Sequence, residues 1–189
     1  MPKFLTHDES QKWLDSFAVS IDKNRHLVFP HDAAVPMKRL TAPLPEKPLA
    51  LTYFMERAVD WLPRFGRRFL WISDWSTYPP HPILFFEAVR LGFGERRHII
   101  DAPGCLFEPE TGLANQEFSD VPDTSTLIGF SLLVTTFNWQ AYLLTTNQKS
   151  YVHLGDDDIS FFTTEDGKAD EALELARKFS LKVNIKRST

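Results

Sequence analysis

Residues Phe69 to Glu108 limit the topology of this chain more than any other stretch, because they read as strand, helix, strand and tight turn in one unbroken run. Phe69-Leu-Trp-Ile72 has the continuous apolar character of a buried strand. Pro79, Pro80 and Pro82 suit the first turn of a helix, Ile83 to Leu91 supply its apolar face, and Gly92 or Gly94 offers a left-handed stop. His98-Ile-Ile100 returns as a strand. A strand, crossover helix and strand of this kind normally form a right-handed parallel pair, so part of the sheet is expected to be parallel. In open α/β sheets ligands bind beyond the carboxyl ends of parallel strands, which turns attention to the turn Asp101-Ala-Pro-Gly-Cys-Leu-Phe-Glu108.

The flanking segments fill in the architecture. Thr6-His7-Asp8-Glu9 fits a capping box, and Trp13, Leu14, Phe17 and Ala18 follow at helical spacing. Arg25 to Phe29 reads as a short strand. Prolines 30, 36, 43, 45 and 48 oppose helix and most ladder pairing, so 30–48 is expected to be an extended crossing loop. Leu51, Phe54, Met55, Ala58, Val59 and Leu62 mark a helix that Pro63 ends. Thr124 to Phe137 permits a buried helix or a strand, and the polar run Val121 to Thr126 before it favours helix. Trp139 to Thr145 and Tyr151 to Leu154 form an antiparallel hairpin, with Ile159 to Thr163 as a third strand. Ala169, Ala172, Leu173 and Ala176 mark a last helix, and Leu181, Val183 and Ile185 alternate as a closing strand. The expected fold is α+β or α/β, a single domain over 1–189, with a mixed sheet, one βαβ unit and four to five helices.

Composition excludes several classes of function. A chain of 189 residues buries a sizeable core without a disulfide or metal staple. Sixteen Phe, five Trp and four Tyr make that core aromatic. A net charge of −4 provides no positive field for phosphate backbones, which argues against nucleic acid. The longest apolar run, Leu127 to Val134, is far short of the roughly 20 residues needed to cross a bilayer. One cysteine, and no signal-peptide pattern after Met1, fit a cytoplasmic protein. No cofactor motif is present: Gly92-Phe-Gly94 leads into a strand, whereas a phosphate loop opens a helix.

Three groups of residues are candidates for chemistry or binding. Cys105, His98 and Asp101 supply the types of a thiol nucleophile, its base and an orienting carboxylate, although a lone cysteine is more often a small buried hydrophobe. Trp71, Asp74, Trp75, Tyr78 and His81 form an aromatic and polar patch from a strand end into a helix start, and the alternative is that the Trp rings are core and Asp74 a cap. Asp156, Asp157 and Asp158, with His153 before them and Glu165 and Asp166 after, carry oxygen ligands enough to interest a divalent cation. They lack the alternation of an EF-hand, and a solvated turn explains them equally well. Arg64, Arg67 and Arg68, like Arg96 and Arg97, are basic clusters of the kind that is usually solvated.

The runs Pro103-Gly-Cys-Leu-Phe-Glu108, Asn138-Trp-Gln-Ala-Tyr-Leu143 and Leu154-Gly-Asp-Asp157 resemble three motifs of uncharacterised bacterial proteins: Pro-Gly-His-Leu-Phe, Trp-Asp-x-Tyr and Ser-His-Asp-Glu. The resemblance spans roughly the C-terminal half and implies a bacterial α+β protein without implying an activity. Cys105 stands where the pattern has His, Gln140 where it has Asp, and Gly155 where it has the second His.

With no complete active site, the expected function is non-catalytic protein binding, of the immunity type. Tyr151 and Asp157 are then contact residues for a basic partner. The alternative is a small-molecule enzyme or hydrolase with a pocket among Asp74, His98, Asp101 and Cys105. An exposed apolar patch rimmed by carboxylates favours the first reading; convergence of those four residues favours the second.

Overall fold

The computed structural model describes residues 2–22, 27–29, 36–63, 67–75, 104–107, 124–146 and 149–187, together with Ala88, Leu91 and Gly92. Ten strands and four helices lie among them. The fold is α+β, built on an eight-stranded sheet in the order β1-β6-β5-β7-β8-β9-β4-β10. Those strands are β1 Lys3–Leu5, β4 Lys38–Pro43, β5 Arg68–Asp74, β6 Gly104–Phe107, β7 Gln140–Thr145, β8 Ser150–Leu154, β9 Asp158–Thr163 and β10 Asn184–Arg187. A separate hairpin joins β2 Ser20–Ile21 to β3 Leu27–Val28. The helices are α1 His7–Asp15, α2 Pro48–Trp61, α3 Thr124–Thr136 and α4 Asp166–Lys178.

Strand alternation sorts side chains onto two cores. Leu70, Ile72, Cys105, Leu143, Val152 and Phe161 face α2, α3 and α4. Phe69, Trp71, Leu106, Tyr142, Leu144 and Tyr151 face Leu14 of α1 and Leu27 and Phe29 of the hairpin region. One cross-strand row on the α1 side runs through all eight strands: Leu5, Gly104, Trp71, Tyr142, His153, Ser160, Thr41 and Asn184. It passes from apolar to polar as it leaves α1, so one half of this face is dry core and the other carries hydrophilic groups.

Several expectations are met by the same physics that raised them. The Glu9 amide donates to Thr6 Oγ1 at 3.2 Å and the Thr6 amide donates to Glu9 Oε2 at 2.9 Å, completing the capping box of α1. The helix stops at Asp15, however, and Phe17 and Ala18 lie beyond it. The helices at 48–61 and 166–178 and the hairpin β7–β8 form where apolar periodicity placed them, and 124–136, which permitted helix or strand, is the preferred helix.

Five expectations need correction. The strand β5 has β6 on one side and β7 on the other, both antiparallel, so it has no place for a parallel partner. The mixed sheet with a βαβ unit is thus replaced, among the described residues, by antiparallel ladders throughout. Most of the expected helix at 83–91 and the strand at 98–100 lie outside the described residues. The turn expected over 101–108 contains β6, a strand buried at all four positions. The Pro-rich segment 30–48 contains β4, which pairs with both β9 and β10, because Lys38 to Ala42 is free of proline and Pro43 falls at the strand's end. The closing strand lies at Asn184–Arg187, with Leu181 and Val183 packed before it. Arg68 is also no solvated cation: it is buried at the start of β5, and its Nη2 donates to the Pro63 carbonyl at 3.3 Å.

Candidate functional site

Cys105 sits in the middle of β6 with its side chain in the core beneath α2 and α3. Burial pushes its thiol well above the usual value, the direction opposite to that a nucleophile needs. The glycine before it has a packing role. A Cβ on Gly104 would meet Ser10 Oγ of α1 and the Phe69 ring inside contact distance, so the glycine lets α1 settle onto the sheet. His98 and Asp101, its expected partners, lie outside the described residues.

The expected patch at 71–81 divides across the sheet. Trp71 is buried on the α1 side, edge-on to His7 at 5.8 Å between ring centroids. Trp75 packs on the opposite side against Trp139, at 4.7 Å. Asp74 is exposed beside Gln140, where a bulge between Ile72 and Asp74 breaks the register. Tyr78 and His81 lie outside the described residues.

The acidic turn also separates into parts. Asp156 is exposed and accepts from Gln140 Nε2 at 3.2 Å; Asp157 is exposed; Asp158 is half-buried at the start of β9. Desolvation raises the Asp158 carboxyl above its usual value, with Arg39 opposing and Asp156 and Asp157 reinforcing the shift. His153 lies opposite Tyr142 across the strands, their rings 4.6 Å apart. Among the described residues no three His, Cys, Asp or Glu side chains gather as a metal site. Tyr151, expected as an anchor for a partner, is instead buried between Phe29 and Phe162, with ring centroids 3.9 and 4.4 Å away. Burial pushes its hydroxyl pKa upward.

Two groupings that the sequence reading did not single out become visible in three dimensions. The first is a cleft of about 710 Å³ between α2 and α4. Trp61, Leu175 and Phe179 form its apolar base. Tyr53, Arg57 and Asp60 border it from α2, and Glu171, Glu174 and Lys178 from α4. The two helices are tied at one end by reciprocal bonds: Trp61 Nε1 donates to the Lys168 carbonyl at 2.8 Å, and Lys168 Nζ to the Trp61 carbonyl at 2.9 Å. Tyr53 is 54% exposed and Leu49, one turn earlier, 68% exposed, large apolar groups left in water beside the cleft. The signal was present in the sequence, since Leu49 and Tyr53 fall at i, i+4 off the core stripe of Phe54, Met55 and Ala58.

The second grouping surrounds Arg39 on the polar half of the sheet. Its Nε donates to Thr41 Oγ1 at 3.2 Å, its Nη2 donates to Ser160 Oγ at 3.2 Å, and its guanidinium lies 5.4 Å from the centre of the Phe162 ring.

No family model, curated protein or solved structure matches the chain. Among the described residues no helix is long and apolar enough to cross a membrane.

Proposed function

We propose that this chain is a non-catalytic protein-binding protein of the immunity type, which acts by occupying a partner through the cleft between α2 and α4. The observation that carries the reading is the exposed Leu49 and Tyr53 ridge beside an apolar base. Aromatic side chains held on a rigid helix supply binding energy at small entropic cost, and an apolar centre with a charged rim is the usual anatomy of an interface. Three carboxylates and two cations line the cleft, so the fitting partner presents an apolar anchor flanked by basic side chains. The cations already beside those carboxylates, Arg57 with Asp60 and Lys178 with Glu174, form exposed pairs that a partner's basic groups can exchange at small cost. The reading includes a cytoplasmic, bacterial protein folded as a single domain.

The test compares the full chain with a Leu49→Asp/Tyr53→Asp variant as bait, after melting curves establish that both are folded. A protein retained by the wild type and lost by the variant supports the cleft. Recovery of no specific partner, or equal retention by both baits, overturns it.

A further inference from the structure

The strand β10 closes one end of the sheet and pairs only with β4 among the described residues. Its outer edge has no ladder partner among the described residues, and an unpaired row of backbone donors and acceptors is the template on which another strand can form. The register on its inner side is unusual: Lys186 lies directly opposite Arg39, and Arg187 opposite Lys38. Like charges directly opposite one another are disfavoured unless something compensates them. Lys38 has Asp166 as its ion-pair partner. Among the described residues Arg39 has hydroxyls and a ring as its contacts, and Asp158, the carboxylate whose charge it feels, makes no ion pair with it. Lys186 is exposed and has no ion pair among the described residues. Among the described residues these two cations thus lie opposite each other with no ion-pair partner, and Asp158 acts on Arg39 only at longer range. On the other face of the same strand, Ile185 is 54% exposed.

We propose that the open edge of β10 accepts an extended acidic segment of a partner protein as a further strand. Alternate residues of that segment would place carboxylates beside Lys186 and Arg39 and an apolar side chain beside Ile185, while its backbone continues the ladder. A second copy of this chain is the wrong occupant, because edge-to-edge pairing would set the basic strand Asn184–Arg187 beside another of the same charge. Basic residues on edge strands normally serve to prevent such pairing between copies. The same charge admits a strand of opposite sign. This surface stands apart from the cleft between α2 and α4 and does not depend on it.

A short labelled peptide alternating glutamate and valine, titrated into the full chain and followed by fluorescence anisotropy, tests the inference. Expected are binding that weakens as salt is added, amide shift changes over Asn184–Arg187, and loss of binding when the peptide's alternate amides are N-methylated. Lys186→Glu, on an exposed side chain, is expected to weaken binding roughly five- to tenfold at an unchanged melting temperature. The proposal is overturned by absence of binding to the folded protein, by equal binding of a lysine and valine peptide, or by indifference to Lys186→Glu. Full displacement by inorganic phosphate would show a simple anion site, and a dimer in sedimentation that Lys186→Glu dissociates would show a second copy; either result also overturns it.

Discussion

Three of the helices are followed by a residue in the left-handed region, and none of the three is glycine: Ala18 after α1, Asn138 after α3 and Ser180 after α4, with φ of 56°, 52° and 57°. In each case the next amide donates back across the helix end, Val19 to Leu14, Trp139 to Val134 and Leu181 to Ala176, at 3.1, 2.9 and 3.0 Å. That bond defines a Schellman ending, and it forces a Cβ into a conformation that glycine adopts freely. Ser180→Gly is therefore predicted to stabilise the fold by about 0.5–1 kcal/mol, read from chemical denaturation; a loss of stability would show that the serine is not strained there. A second prediction concerns Asp158. Burial raises its folded-state pKa above the usual 3.8, so between those two values the native state binds more protons than the unfolded chain. Stability contributed by this group falls as pH rises through that window, and at neutral pH its desolvation opposes folding. Asp158→Asn should melt higher than wild type at pH 7, with the difference vanishing below pH 3.8. A variant that melts lower at neutral pH would mean that the attraction of Arg39 outweighs burial.

The hairpin β7–β8 shows how much one element depends on a few rings. Trp139, immediately before β7, is buried against Phe137 and Trp75, whereas Asp157 in the following turn is exposed. Trp139→Ala should cost about 3–5 kcal/mol and Asp157→Ala under about 0.5 kcal/mol, a contrast that thermal melts of the two variants will register. Elements of this kind were legible in the sequence because their apolar spacing and caps are local. The helices at 48–61 and 166–178 carry their own periodicity, and Thr6 and Glu9 carry their own cap. Strand direction has no such local mark, and the strand–helix–strand pattern therefore suggested a parallel pair where β5 accepts only antiparallel neighbours. Prolines at 36 and 43 hid β4 by bracketing it, and the three-residue β1 is too short for any period. The candidate sites were harder still. The cleft is made by helices more than a hundred residues apart in sequence, and the pairing of Lys186 with Arg39 exists only through the ladder. Cys105 drew attention by its rarity, a property unrelated to its burial.

Across the whole molecule, the sheet is supported unequally. The strands β5, β7 and β8 have a neighbour on each side and are buried on both faces over most of their length, whereas β10 has no ladder partner on one edge among the described residues. Native-state hydrogen exchange should accordingly be slowest at Leu70, Leu143 and Val152 and faster throughout Asn184–Arg187. Equal protection of β10 and β7 would show that the edge is covered. The position of β4 has a further effect, during synthesis of the chain. Both of its ladder partners, β9 and β10, come from the C-terminal part of the sequence, with Lys38 paired to Thr163. At ~5–20 residues per second a ribosome needs on the order of ten seconds to make the intervening length. Through that interval β4 has its N–H and C=O groups bare and Leu40 and Ala42 without a core, so the nascent chain carries an adhesive strand that a chaperone, or rapid release of the finished C-terminal part, must shield.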